Sequence, residues 1–153
     1  MNRFKLALAM VLSLAIALNL NVGLHSMTAK ADTIEENITI VVKVLDHQSK
    51  GIEKTEVELC RYEDSEWKKV AVSKSDESGI VSFDLASEAN VNSYFKLNVS
   101  KTPTGYLLPE DAAVYVFVSN SGVVSYSKTF SAETNSLGDG ATGKIKSFRL
   151  AAE

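Results

Sequence analysis

The sequence is short of the residues that build disulfides, metal sites and rigid turns. Its 153 residues include one cysteine, two histidines and two prolines. A single cysteine cannot close a disulfide within the chain, so the stability of the fold must come from an apolar core. Only one histidine, His47, lies beyond residue 31, and one imidazole cannot build a zinc site.

Acidic residues are absent from the first 31 positions and abundant after them. Residues 1–31 contain three basic and no acidic side chains, whereas the remaining residues contain 13 basic and 19 acidic ones, a formal charge of −6. Binding to nucleic acid or to an anionic membrane surface requires a basic face. The charge balance therefore argues against both kinds of partner.

The N-terminus has the three parts of a secretory signal peptide. Residues 1–5 are short and positive, and residues 6–20 are almost entirely apolar. Ala29 and Ala31 are small residues at the −3 and −1 positions before Asp32. The apolar run approaches the length of a membrane anchor, but the small residues favour cleavage. We expect cleavage between Ala31 and Asp32 and export of the remaining chain.

After residue 37, apolar and polar residues alternate in short segments separated by turn formers. This period of two is typical of strands with one buried face, and no helical period persists for three turns after residue 31. In the third segment we expect Val70 and Val72 to face the core. Seven to eight strands predict an all-β fold, a β-sandwich. The predicted strands are residues 38–44, 55–62, 67–72, 81–85, 95–99, 114–118, 123–130 and 144–150.

Three regions follow from this pattern. Residues 131–143 include three glycines and predict a mobile segment. The last predicted strand, residues 144–150, has Ile145 and Phe148 as its apolar content and completes the sandwich. The regions are a signal peptide over residues 1–31, a sandwich core over residues 32–130 and a C-terminal region over residues 131–153.

Several short motifs occur in an order typical of one family of surface domains. They are Val42-Lys43-Val44-Leu45-Asp46, Lys50-Gly51-Ile52, Asp76-Glu77-Ser78-Gly79-Ile80-Val81-Ser82-Phe83 and Pro103-Thr104-Gly105-Tyr106. In this order and spacing, residues 34–126 resemble the B-type repeat domain of the collagen adhesin, also called the Cna B-type, SpaA-like or prealbumin-like domain. The resemblance implies a seven-stranded immunoglobulin-like sandwich from a Gram-positive surface protein.

Many members of that family carry an isopeptide bond between a core lysine and an asparagine, promoted by an acidic residue. The resemblance puts the lysine at Val44 and the acid at Val99, and residues 144–150 contain no asparagine. Lys43 is one residue away from the lysine position, and that offset turns a strand side chain to the opposite face. We therefore expect apolar core positions at Val44 and Val99 and no isopeptide bond.

The sequence also lacks a sortase signal in the usual context. Leu108-Pro109-Glu110-Asp111-Ala112 lies inside the chain and lacks the Thr-Gly pair that sortase cleaves. We therefore expect no covalent wall anchor. The protein is expected in the extracellular space, or held at the cell wall by non-covalent contacts.

Aromatic side chains are the candidate contact surface. Strand parity puts Tyr94, Tyr115 and Phe117 on the face opposite to the core, where aromatics can mark a binding patch. The interpretation that we favour is that the glycine-rich segment or the final strand covers them. Tyr62 and Trp67 flank a polar hairpin and predict a second cluster, although cross-strand pairing alone also explains them.

Candidates for catalysis or cofactor binding are few. Cys60 has no base except His47, which lies in a predicted turn, so we expect an unreactive thiol. Glu53, Glu56 and Glu58 lack the Asp-rich loop of a calcium site and predict a solvated strand face. We expect no enzyme activity, no cofactor and no metal.

These features predict a secreted, non-enzymatic structural or adhesive module of the bacterial surface. Its expected partner is a surface or host protein, or a glycan, and weak self-association fits the same role. No nucleic acid and, after signal cleavage, no membrane is expected as a partner. The alternatives are a soluble ligand-binding or effector protein and a small transthyretin-like hydrolase, which would need histidines near the strand ends.

Overall fold

The computed structural model describes residues 37–153, without the side chain of Glu88. The predicted signal peptide and its cleavage site between Ala31 and Asp32 lie outside the described residues. The described elements, in chain order, are β1 (Ile38–Leu45), β2 (Glu56–Glu63), β3 (Glu66–Lys74), β4 (Ile80–Leu85), the helical turn α1 (Ser87–Asn90), β5 (Ser93–Lys101), β6 (Ala113–Val118), β7 (Val124–Ser127), β8 (Phe130–Ser131), β9 (Ser136–Leu137) and β10 (Ser147–Arg149).

Two sheets form the body of the fold. A three-stranded sheet has the order β10-β1-β4, and a five-stranded sheet has the order β3-β2-β5-β6-β7. Strands β8 and β9 form a separate two-stranded sheet. Among the described strands, β10 runs parallel to β1 and the other neighbouring pairs are antiparallel. The prediction of an all-β sandwich is confirmed.

The two sheets enclose one apolar core built from alternate residues of each strand. In β1, buried residues alternate with exposed or half-buried ones, as the period of two predicts. Fully burying one such valine, leucine or phenylalanine stabilises the fold by about 1.5–3 kcal/mol. The core residues are Ile38, Ile40, Val42, Val44, Ile52, Val57, Leu59, Val81, Phe83, Phe95, Leu97, Val99, Val114, Val116, Val118, Tyr126, Phe148 and Leu150.

The third predicted strand needs a correction. We expected Val70 and Val72 to face the core, but they are 49% and 44% exposed. β2 pairs Leu59 with Ala71 but its next residue with Lys69, so Val70 is an extra residue in β3. A β-bulge of this kind reverses the alternation of side chains beyond it. Ala71 packs against the core instead.

The final strand is shorter than predicted. β10 contains Ser147–Arg149 and not the whole of residues 144–150. Phe148 is buried as expected, but Ile145 is 45% exposed, and Leu150 supplies the second buried side chain. The strand pairs with the end of β1 and so completes the three-stranded sheet.

Two side chains close the seam between β7 and the three-stranded sheet. The backbone N–H of Val41 donates a hydrogen bond to the Tyr126 hydroxyl (2.9 Å), and burial raises the pKa of that hydroxyl. Lys128 Nζ donates to the carbonyl of Ser147 (2.8 Å) and lies 5.5 Å from the centre of the Phe148 ring. Burial lowers the pKa of the Lys128 amine.

Two glycines cross where β1 ends. Gly79 has a φ of +75°, and a Cβ there would overlap the carbonyl oxygen of Val44. A Cβ on Gly51 would overlap the carbonyl group of Ser78. Backbone hydrogen bonds run through the same crossing, from Val44 N to Gly79 O (2.7 Å) and from Ile52 N to Val44 O (3.0 Å). Both positions therefore require glycine.

Alanine at this crossing will strongly destabilise the fold. We predict that Gly79→Ala lowers the free energy of unfolding by more than about 3 kcal/mol, because a backbone clash adds to the strain of a positive φ. Gly140→Ala is the matched control, with a φ of +79° and no atom within 4 Å of the added Cβ. It should cost only about 1–2 kcal/mol. Urea denaturation compares the two, and equal losses would contradict the packing argument.

Candidate functional site

The outer face of the five-stranded sheet carries aromatic side chains. In β5 and β6 the buried residues alternate with half-buried ones, which places Tyr94, Tyr115 and Phe117 on the face away from the core. Tyr94 and Phe117 are direct cross-strand partners, and their ring centres are 4.7 Å apart. A tilted aromatic pair of this kind stabilises by about 0.5–1.5 kcal/mol beyond its burial.

Tyr62 and Trp67 lie on the same outer face. They are direct partners across the β2–β3 hairpin, with ring centres 4.8 Å apart. The Trp67 ring also lies 5.7 Å from the Tyr115 ring. The two aromatic groups that the sequence predicts separately are therefore one group in the structure.

Phe130, the first residue of β8, joins these rings. Its ring centre lies 5.1 Å from those of Tyr62 and Trp67, 5.4 Å from Tyr94 and 5.7 Å from Tyr115. Because β9 also contacts β6, the β8–β9 hairpin lies over part of this face. All six rings are half-buried. We define the aromatic cluster as Tyr62, Trp67, Tyr94, Tyr115, Phe117 and Phe130.

Sequence reasoning did not single out two residues at this face. Lys96 lies two residues after Tyr94 in β5, and its Nζ lies 5.5 Å from the centre of the Trp67 ring. Parity could have identified Lys96, because residues i and i+2 of a strand share a face. Phe130 has no such signal, since a two-residue strand is too short to show alternation and its ring contacts come from four other strands.

Ion pairs lie between β2 and β3, beside the aromatic cluster, and in the turn that precedes β2. Each of the three glutamates that we expected on a solvated strand face lies next to a lysine. The hydrogen bond from Lys69 lowers the pKa of the Glu58 carboxyl, and the same bond raises the pKa of the Lys69 amine. The pairs are Glu58–Lys69 (2.6 Å), Glu56–Lys74 (3.3 Å) and Glu53–Lys54 (3.7 Å).

Cys60 lies on the same face, opposite Lys69 in β3 and Lys96 in β5. The side chain is buried and carries a free thiol. Burial raises the pKa of this thiol, although the charge of Lys96 acts in the opposite direction. His47 lies in an exposed turn after β1. The thiolate, which is the reactive form of cysteine, is therefore disfavoured at Cys60.

The two positions that the family resemblance assigns to a lysine and an acid are core valines. Val44 has no exposed surface and Val99 is 6% exposed. Lys43, the neighbouring lysine in β1, points to the exposed face. The short strand β10 contains a serine, a phenylalanine and an arginine.

The surface formed by the described residues also has pockets. Pockets of about 380 and 370 Å³ lie at the surface; the first is lined in part by Asn37 and Asn120, the second by Leu107 and Arg149. Residues 37–153 contain no group of three or more side chains able to hold a metal ion. In the same range, no helix is long and apolar enough to cross a membrane.

Comparison with protein-family models finds no match, and comparison with curated proteins also finds none. Partial similarity exists to two solved pilus adhesins. RrgA from Streptococcus pneumoniae is 15% identical with a TM-score of 0.47, over 60% of this chain and 10% of RrgA. A C-terminal fragment of SpaC from Lactobacillus rhamnosus GG is 17% identical with a TM-score of 0.45, over 77% of this chain and 44% of the fragment. The chain spans less than half the length of either structure.

The position of Cys60 predicts a thiol that reacts slowly. At neutral pH we expect the folded chain to react with the thiol reagent DTNB at least about tenfold more slowly than the chain unfolded in urea, because burial disfavours the thiolate and shields the sulfur. The absorbance of the released thiol measures both rates. Equal rates would contradict a buried position for Cys60.

Proposed function

We propose that this chain is a non-enzymatic, secreted structural or adhesive module of the Gram-positive cell surface or extracellular space. It contacts a protein or a glycan through the outer face of the five-stranded sheet. The observation that carries the proposal is the aromatic cluster, whose six rings lie outside the core and remain half-buried. Tyrosine, tryptophan and phenylalanine are enriched at contact surfaces because they combine a large apolar area with few rotatable bonds.

The surroundings of the aromatic cluster support the same role. An interface typically has an apolar centre and a polar rim. Here the rings form the apolar part, while Lys96 and the Glu58–Lys69 pair supply charge beside it. Raised pKa and burial of the Cys60 thiol favour a contact function over nucleophilic catalysis.

Wall fragments from a Gram-positive bacterium are the probe for this proposal. We expect the unchanged chain to co-sediment with them and Phe117→Ser to reduce the bound fraction at least about tenfold, because the change removes one ring of the contact face. Val123→Ser is the matched control, since Val123 is 60% exposed and lies just before β7, outside the aromatic cluster. It should bind like the unchanged chain.

Two results would contradict this proposal, the first its adhesive role and the second its contact face. One is a folded chain that stays in the supernatant and elutes as a monomer in size-exclusion chromatography, which favours a soluble effector protein. The other is equal binding by the Phe117→Ser and Val123→Ser variants, which would show that the contact lies outside the aromatic cluster. Circular dichroism of each variant establishes that it is folded.

Export and the absence of a crosslink share one further test. We predict that the protein recovered from culture medium begins at Asp32 and has the mass that its sequence requires, without a deficit. A bond between a lysine and an asparagine would remove one molecule of ammonia from that mass. Intact mass spectrometry of the medium and wall fractions measures both properties. A measured mass lower by one ammonia would show that a lysine–asparagine crosslink is present. Lys43 would then be the first residue to mutate.

A further inference from the structure

The β8–β9 hairpin is attached to the five-stranded sheet mainly by side-chain packing. Its strands contain two residues each, and their ladder hydrogen bonds join them to each other in a separate sheet. The tip, residues 132–135, is exposed. At the base, Gly138 N donates to Thr129 O (2.9 Å) within the same hairpin. The Phe130 ring joins the hairpin to four rings of the outer face, and β9 adds contacts with β6.

Four rings surround Phe130 and form a receptor for a flat apolar group. Phe130 meets Tyr62 and Trp67 edge to face, with interplanar angles of 66° and 69°, and stacks on Tyr115 at 20°. Edge contacts and stacked contacts are the two arrangements that aromatic rings prefer. We define the ring receptor as Tyr62, Trp67, Tyr94 and Tyr115. Its occupant shows that it accepts an aromatic side chain.

A positive charge lies beside the ring receptor. Lys96 Nζ is 5.5 Å from the centre of the Trp67 ring, and Lys96 makes no salt bridge among residues 37–153. The Glu58 carboxylate nearby is paired with Lys69 at 2.6 Å. An occupant that carries a carboxylate close to its ring would therefore find an available partner in Lys96.

We propose that the ring receptor binds an aromatic side chain of a partner protein, on an extended segment that also carries a carboxylate. Phe130 occupies the receptor until such a segment displaces the β8–β9 hairpin. This inference rests on the proposed function, because it names the partner chemistry of the same face. The partner's ring replaces the four contacts of Phe130, and its carboxylate adds an ion pair with Lys96. That additional pair gives the partner an advantage over the resident side chain.

The hairpin itself supplies the probe. A synthetic peptide of residues 127–138 is titrated into the full chain carrying Phe130→Ala, and the fluorescence of Trp67, the single tryptophan, is recorded. We expect saturable binding at least about tenfold tighter than to the unchanged chain, in which Phe130 competes for the receptor. The same peptide with Phe130→Ala should leave the fluorescence unchanged.

Charge is tested with a second pair of changes. In the hairpin, Glu133 lies in the exposed tip and forms no salt bridge with Lys96. Adding Ala132→Glu to the peptide, two residues after Phe130 and on the same side of an extended strand, should tighten binding about threefold or more, because it supplies the carboxylate that the hairpin lacks. Adding Lys96→Gln to the chain should remove the difference between the two peptides. Equal affinities of both peptides for the chain with Lys96 present would overturn the carboxylate part of the inference.

Further outcomes overturn the receptor itself. One is equal binding of the phenylalanine and alanine peptides to a chain that circular dichroism shows to be folded. If Phe130→Ala does not fold, Phe130→Leu replaces it, and absence of peptide binding to that folded variant overturns the inference. The unchanged chain could also form a dimer that the Phe130→Ala variant does not form. That result would show that the ring receptor binds the hairpin of a second copy, and it would overturn the inference of a partner protein.

The two proposals fail separately. Wall binding by the unchanged chain, without peptide binding by the Phe130 variants, contradicts the ring receptor and keeps the contact face. Peptide binding by those variants, without wall binding by the unchanged chain, contradicts adhesion to the wall and keeps the ring receptor. Displacement of the peptide by soluble wall glycan would assign the receptor to a sugar and overturn the aromatic partner.

Discussion

The crossing of Gly51 and Gly79 is the constraint on which the placement of both sheets depends. It brings the turn before β4 into backbone contact with the end of β1 and with the segment that leads to β2. Ser75, at the end of β3, ties down the same region: its hydroxyl donates to Ile52 O (2.6 Å) and accepts from Thr55 N (2.9 Å). The three-stranded sheet and the β2–β3 hairpin are therefore joined at one point, where no side chain fits between the two glycine backbones.

The bulge at Val70 then decides what the outer face carries. Without the extra residue, Tyr62 would face Lys68, and Trp67 would turn to the core side of β3. With it, Tyr62 and Trp67 are direct partners on the outer face. Val72, on the other side of the bulge, is the partner of Glu58 on that same face. The inserted residue therefore lets Trp67 and Val72, which differ in parity along β3, both face outward, and it completes the group of rings that surrounds Phe130.

The inner and outer faces of the five-stranded sheet are stabilised in different ways. The inner face packs against β1 and β4 in a continuous core, whereas, among residues 37–153, a hairpin of two-residue strands covers the aromatic end of the outer face. Elements with few backbone bonds to the rest of a fold open at lower free energy than core strands. The outer face therefore combines a rigid platform with a cover of lower stability. Opening of this cover would leave the core intact.

The amino-acid sequence by itself determined the all-β class, the positions of most strands and the core parity of β1, β2, β4, β5 and β6, because alternation is a local property of each strand. The same parity was enough to place Tyr94, Tyr115 and Phe117 outside the core. Only the tertiary structure decided the bulge at Val70 and the place of Phe130 among rings from four other strands. Both depend on how distant segments pair, and the pattern within one short segment carries no information about that register.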